Sequence, residues 1–298
     1  YGGGGADTIN AGAGNDSIMY QASTTIDGGE GIDTLLVTSN FHLSEHVADI
    51  TNVEVISALN ATSAVSLSGT AAAETLIGGD YADTLTLSAG DIATGGQGND
   101  TFDVTQSGTI AAVSAITITD IGLGDTLLIV ESESAAAPRV NTDGVLSFNG
   151  GSQQVTLTGW DSSWSLKQLA TGQYTVVKVP NQTVVIESMS KDSGQSDDWI
   201  TANGNENRLI SGSISAGLNT SEVVEISFDN GASWASATTS GTGWSVIDPQ
   251  QHDVTWTMQG RVRNTAEDVF DATKVASQTV YFDATHPNKL ALGLVSDT

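Results

Sequence analysis

Residues 2–10 read GGGGADTIN and residues 11–19 read AGAGNDSIM, in phase at nine residues. Residues 28–36 read GGEGIDTLL, and the theme returns at 69–77 (GTAAAETLI), 78–86 (GGDYADTLT) and 95–103 (GGQGNDTFD). The acidic position falls at Asp7, Asp16 and Asp33, then at Glu74, Asp83 and Asp100, each of the second three 67 residues after its counterpart. The first half thus holds a duplicated unit of two adjacent nonapeptides and a third after a skip, and such periodicity predicts a coiled architecture. The shared pattern is G-G-x-G-x-D-x-U-x, with U large and apolar. Glycine tolerates positive φ, so this stretch can turn tightly and aim its carbonyls at one point. The Asp adds a hard carboxylate oxygen, and calcium takes about six to eight such oxygens. The U residues Ile9, Ile18, Leu35, Leu76, Leu85 and Phe102 are expected to point inward from short strands and stack as a core.

Composition agrees with a chain that relies on divalent cations. The 298 residues carry 35 acidic and 9 basic side chains, for a formal net charge of −26. Such a charge argues against nucleic acid, whose phosphates demand lysine and arginine, and against an anionic membrane surface. With no cysteine, disulfides, thiol catalysis and cysteine-ligated zinc are excluded. No apolar run approaches the roughly 20 residues of a membrane-spanning helix, so membrane insertion is not expected. The length suits two domains, and 33 glycines with 6% aromatics fit short strands and tight turns.

On the nonapeptides, the sequence resembles the RTX (repeats-in-toxin) adhesins of bacteria. The resemblance implies a parallel β-roll in which two nonapeptides make one coil and each calcium ion lies between equivalent turns of successive coils. It pairs the turn of Asp16 with that of Asp33, and the turn of Asp83 with that of Asp100. The glycines of these turns are Gly28, Gly29 and Gly31, then Gly95, Gly96 and Gly98. The partner of Asp7 falls near Thr24 and Thr25, which supply no carboxylate. Glu74 in place of Asp, Ala72 in place of a glycine and Tyr81 in place of the fourth glycine weaken the expected sites at Glu74 and Asp83.

Further strands are expected at 53–59, 116–119 and 126–130, with a turn at 120–125, then at 145–148, 154–158 and 174–179, with Trp160 and Trp164 in a loop. A boundary is expected near Pro180. Beyond it, strands at 184–188, 223–228, 244–247, 254–263 and 278–282, separated by clusters such as Asp229-Asn230-Gly231, predict a β-sandwich. This half is similar to the bacterial Ig-like (Bap-type) extender repeats, on Asp192-Ser193-Gly194, Asp198-Trp199-Ile200-Thr201, the run from Glu225 to Trp234, Gly260-Arg261-Val262-Arg263-Asn264 and the run from Phe282 to Pro287. Asp192, Asp197, Asp198, Glu267, Asp268 and Asp283 are expected near one end of the sandwich. In the family such residues bind calcium at domain junctions, and Asp192, Asp197, Asp198 and Asp283 are the candidates here. Residues 287–297 echo 180–192, so a new copy is expected to begin there, in a tandem array.

The fold expected is therefore all-β, with a parallel β-roll or solenoid over 1–180, an Ig-like antiparallel β-sandwich over 181–286, and the next repeat from 287 to 298. Catalytic look-alikes are set aside. His42-Leu43-Ser44-Glu45-His46 matches H-x-x-E-H, but zinc chemistry needs a helix, a third ligand and a cleft, so a polar surface turn is expected. Ser188-Met189-Ser190-Lys191 lacks accompanying motifs, and Glu131 with Glu133 reads as a solvated face. Trp234, Trp244 and Trp256 are expected in the sandwich core, while Trp160, Trp164 and Trp199 could stack on a sugar ring.

The function expected is that of a non-catalytic, calcium-stabilised extender in a secreted bacterial surface adhesin serving adhesion or biofilm formation. Its partners would be calcium ions, neighbouring domains of the array and, as a further candidate, surface glycans. The alternative is a calcium-dependent accessory or carbohydrate-binding module of a type I secreted enzyme.

Overall fold

The computed structural model describes residues 6–105, 116–130, 137–148, 153–193, 195 and 198–284. These residues contain β-strands and short 3-10 turns but no α-helix. They divide into two compact units, 1–178 and 179–298.

The first unit is a parallel roll. Its strands are mostly three residues long and read Thr/Ser–apolar–x, so one side chain per strand faces inward, as the two-residue period of a strand requires. Leu35, Ile56, Leu67, Leu76, Leu85, Phe102, Ile116 and Leu127 are fully buried in one stack, with Ile18 close to it and Ile9 packed against its start. One parallel ladder runs Ser17–Met19, Thr34–Leu36, Val55–Ser57, Thr75–Gly79, Ile92–Gly96, Ile116–Ile118 and Gln153–Leu157. Opposite it, Phe41–His42, Ser66–Ser68, Thr84–Thr86, Thr101–Asp103 and Thr126–Leu128 form a second. A short third ladder joins Thr8–Asn10, Thr25–Asp27 and Ile50–Thr51.

The register gives the size of a coil. Thr8 pairs with Thr25, Ser17 with Thr34, and Thr84 with Thr101. Two nonapeptides thus close a coil one residue short of their summed length. The parallel ladders then end on antiparallel strands. Val145–Phe148 and Arg139–Val140 follow Gln153–Leu157, and Gln173–Lys178 with Trp164–Ala170 follow Thr126–Leu128. Trp164, expected in a loop, opens the last of these strands, and its ring meets Trp160 edge-on at 5.8 Å. The reason is the hairpin itself, which pairs Trp164 with Lys178.

The segment 41–54 adapts one coil to the next. Phe41 and Leu43 are buried, and His46 stacks on Phe41 with 5.1 Å between ring centroids, while His42 Nδ1 lies 2.9 Å from Ser68 Oγ. The two histidines of the H-x-x-E-H string therefore serve separate packing contacts.

The second unit packs two sheets around one core. One sheet runs Val184–Met189, Arg208–Ile214, Gly243–Asp248, Thr238–Ser240, all antiparallel. The other places Trp256–Asn264 between Glu222–Ser227 and Ala276–Phe282, with Ile200–Thr201 parallel to the last and Ala235–Ser236 at the far edge. Val184, Ile186, Ile210, Val224, Ile226, Trp244, Met258 and Val280 share that core. Gly260 makes close packing possible, since a Cβ there would stand 2.8 Å from the Val184 side chain across the sheets.

Trp244 and Trp256 are buried, but Trp234, expected in the core, is only half-buried. The Arg261 guanidinium covers its ring at 3.9 Å, with the Phe270 ring 4.1 Å from the same group. Glu225 anchors Arg261 at 2.7 Å. Charge over an aromatic face, not burial, fixes this tryptophan.

Candidate calcium sites

Every coil of the roll turns at two edges, and a carboxylate stands just before the strand that follows each informative turn. At the edge where the chain enters the long parallel ladder these are Asp16, Asp33, Glu54, Glu74 and Asp91. At the opposite edge they are Asp83, Asp100 and Asp125. Asp16 and Asp33 thus lie on one edge and their counterparts Asp83 and Asp100 on the other. The duplicated unit was carried half a coil out of phase.

Within each row the carboxylates cap the neighbouring coil. Asp33 Oδ1 accepts from the Asp16 N–H at 2.8 Å, and Glu54 Oε2 accepts from the Asp33 N–H at 2.9 Å. On the other edge Asp83 Oδ1 accepts from Val65 N–H, Asp100 Oδ1 from Asp83 N–H and Asp125 Oδ1 from Asp100 N–H, all at 2.8–2.9 Å. Asp91 Oδ1 does the same for Glu74 N–H at 2.9 Å. Asp33 and Asp91 are fully buried, and Asp83, Asp100 and Asp125 nearly so.

The second oxygens divide these residues. Asp83 Oδ2 accepts from Gly79 N–H at 2.6 Å, Asp91 Oδ2 from Ser88 N–H at 2.7 Å, and Asp125 Oδ2 from Gly122 N–H at 2.7 Å. Glu74 bonds the main chain and the hydroxyl of Thr70. By contrast Asp7, Asp16 and Asp33 each keep Oδ2 buried with no hydrogen-bond partner. A buried anionic oxygen without a donor is costly, and a cation is the group that would satisfy it. Next to Asp7 in the neighbouring coil is buried Thr24, and the Asp7 carbonyl accepts from Thr25 N–H at 2.9 Å, so this turn offers one carboxylate only.

Backbone oxygens supply the remainder of a hard coordination shell. Glu30 N–H donates to Gly12 O at 2.8 Å and Gly14 N–H to Glu30 O at 2.7 Å, which stacks turn 28–33 on turn 11–16. Gly29 has φ +99°, and a Cβ on it would lie 1.8 Å from Gly12 O. Gly96 repeats this at the other edge, with φ +100° and Gly79 O at 2.1 Å. Gly28, Gly31, Gly95 and Gly98 also face backbone or carboxylate oxygens of their own or the adjoining turn at distances no side chain tolerates. Tyr81 occupies the place opposite Gly98, so the turns 78–83 and 95–100 still stack. Among the described residues no three His, Cys, Asp or Glu side chains converge. Ions here would rest on one or two carboxylates and a majority of carbonyls, which suits calcium.

Electrostatics agree with a need for counter-ions. Burial raises the Asp91 carboxyl to about 6, against partial relief from the Glu74 and Ser88 N–H groups. Burial likewise raises Asp100 to about 6, with Asp125, Asp83 and Asp120 adding like-charge repulsion. Asp125 is raised for the same leading reason. Glu54, Asp91 and Asp125 stand in the same two rows as the repeat carboxylates without belonging to a nonapeptide. The signal for Asp125 was present in Gly122-Leu123-Gly124-Asp125-Thr126-Leu127, which shares the acidic–Thr–apolar string of Asp33, Asp83 and Asp100.

In the second unit Thr201 gathers part of the expected junction set. Its Oγ1 donates to Lys191 O at 2.9 Å, its carbonyl accepts from Asp283 N–H at 3.0 Å, and Ile200 N–H donates to Asp198 Oδ1 at 3.0 Å. Asp192, Asp198 and Asp283 are thus brought to one end of the unit and are partly buried. Asp197 lies outside the described residues. Glu267 and Asp268 do not join them. The nine-residue strand Trp256–Asn264 separates the two groups, and Asp268 pairs with Arg263 at the opposite end.

The family model for the RTX calcium-binding nonapeptide repeat (4 copies) matches residues 1–19 and 68–102. Turn 28–33, which has every glycine of the pattern, lies outside the matched residues. No curated protein matches the chain. The chain carries RTX calcium-binding nonapeptide repeats, and calcium is the ion those repeats bind.

Proposed function

We propose that this chain is a non-catalytic, calcium-stiffened extender of a large secreted bacterial adhesin of the RTX type, with the second unit an Ig-like spacer. The observation that carries the reading is the set of buried, partnerless oxygens on Asp7, Asp16 and Asp33. They make the roll incomplete without cations and give a reason for −26 net charge on one chain. Calcium neutralises the turns, locks coil to coil and lets folding follow ion concentration. Export through a calcium-poor compartment as a loose chain, by type I secretion, and folding outside the cell fit that coupling. Asp192, Asp198 and Asp283 around Thr201 give the spacer a candidate ion site of its own at one end.

Force spectroscopy on the chain tests the reading. An extender predicts that millimolar calcium raises the unfolding force of the roll and shortens its end-to-end fluctuations. A roll whose mechanical resistance is the same in chelator and in calcium contradicts it.

A further inference from the structure

The third turn on the Asp16–Asp33 edge belongs to no nonapeptide, yet it completes the row. Asp27 pairs with Thr51 and Thr34 with Val55, so six residues (28–33) in one coil face three (52–54) in the next. The short turn contains no glycine. Asn52 takes the left-handed conformation instead, with φ +53°, which asparagine tolerates better than most residues. Its side-chain amide donates to Asp27 Oδ1 at 2.7 Å and holds the turn against the neighbouring coil.

Glu54 stands in register with Asp33 and performs the same capping through one more methylene. Its Oε2 accepts from Asp33 N–H at 2.9 Å, as Asp33 Oδ1 accepts from Asp16 N–H at 2.8 Å. The longer side chain makes up for the three missing residues. Asp33 meanwhile is fully buried, with Oδ2 unpartnered. That oxygen and the Asn52 carbonyl both lie close against Gly28 and so near each other, since a Cβ on Gly28 would stand 2.7 Å from Asp33 Oδ2 and 1.9 Å from Asn52 O. A carboxylate oxygen and a carbonyl set side by side, with the Glu54 carboxylate held next to them on the Asp33 N–H, are the hard oxygen donors calcium takes.

We propose that turn 52–54 forms a calcium site with turn 28–33, using Asp33 Oδ2, the Asn52 carbonyl and Glu54, at a place the nonapeptide pattern does not mark. The site rests on the calcium reading of the repeats and extends the ion row one coil into chain without the motif. Glu54 takes the role of the missing Asp, and Asn52 that of the missing glycine.

The test counts ions bound by the full 298-residue chain, by equilibrium dialysis against calcium after chelation. Glu54→Gln keeps an oxygen for Asp33 N–H but removes the charge, and is expected to lose one ion per chain or weaken one site about tenfold. Asp100→Asn, on the other edge, is expected to lose an ion independently. Should E54Q bind the wild-type number with wild-type affinity while D100N loses one, the proposal is overturned and the repeats keep their calcium. A wild-type chain that binds no calcium overturns both. Carbon-13 NMR of the unmutated chain answers even where a variant fails to fold. The Asn52 carbonyl and the Asp33 and Glu54 carboxyls should shift together in one calcium-binding step, and an unmoved Asn52 and Glu54 beside shifting Asp16 and Asp100 would refute the site.

Discussion

The Asp83 N–H donates to Oδ1 of Asp100 at 2.8 Å, from one coil of the roll to the next. That bond makes Asp100 a structural cap before any ion arrives, and the ion then acts on a carboxylate already in place. Asp100→Ala removes both functions. It is expected to cost the chelated roll about 1–3 kcal/mol, the usual penalty for orphaning a buried donor, and to cost more in calcium. Differential scanning calorimetry of the roll transition in chelator and in calcium measures the two losses. An equal loss in both would separate Asp100 from the ion.

Acid should stand in for calcium. The folded-state values of about 6 for Asp91 and Asp100 lie above the ordinary 3.8. Groups raised in this way favour the folded state below the unfolded value and lose that contribution as pH rises through the folded one. The chelated roll should therefore melt higher near pH 4.5 than near pH 7.5. In saturating calcium the order should invert, because protons compete with the ion for the carboxylates. Melting curves at both pH values, with and without chelator, would show it, and a chelated roll that is more stable at neutral pH would contradict it.

Two glycines separate backbone strain from close approach. Gly12 and Gly96 both have φ +100°, but only at Gly96 would a Cβ meet a neighbour, the Gly79 carbonyl at 2.1 Å. Gly12→Ala should cost about 1–2 kcal/mol, the penalty of the left-handed conformation. Gly96→Ala should cost clearly more and weaken calcium binding by prising the turns apart. Equal effects in chemical denaturation would show that the turns are not packed as described.

The second unit should fail independently of calcium at its buried ion pair. Arg208 and Asp248 are fully buried 2.8 Å apart, His252 Nε2 lies 3.0 Å from the same Asp248 oxygen, and the guanidinium stands 4.8 Å from the centre of the Trp256 ring. Burial lowers the His252 value, against the opposing pull of the Asp248 carboxylate. Asp248→Asn strands the Arg208 charge and should cost the unit about 3–5 kcal/mol. The melt of this unit should fall by the same amount with and without calcium, while that of the roll stays put.

What the sequence made legible follows from where physics leaves a periodic trace. Leu35, Leu85 and Phe102 repeat in phase with their acidic neighbours because each coil must bury one apolar side chain per strand, so the roll and its inward face could be read directly. Glu54 could not, because its turn replaces glycine by Asn52 and three residues by one methylene. The strand Arg208–Ile214 was missed for a related reason. Two of its inward positions carry a buried arginine and Gly212, where a Cβ would stand 1.9 Å from Val185 O, so no apolar alternation appears. The separation of Asp268 from Asp283 was equally hidden, since only strand pairing reveals that Trp256–Asn264 lies between them. Local chemistry was visible in the chain, whereas distances set by register were not.

Calcium titration of the chelated chain, followed by far-ultraviolet circular dichroism and calorimetry, tests the central claim most directly. A gain of β-signal and two separate melting transitions are expected, with the roll rising steeply with calcium and the second unit, which offers a candidate ion site at one end only, rising much less. If chelation changes neither the spectrum nor either transition, the unpartnered oxygens of Asp7, Asp16 and Asp33 are not ion sites and the extender mechanism is wrong.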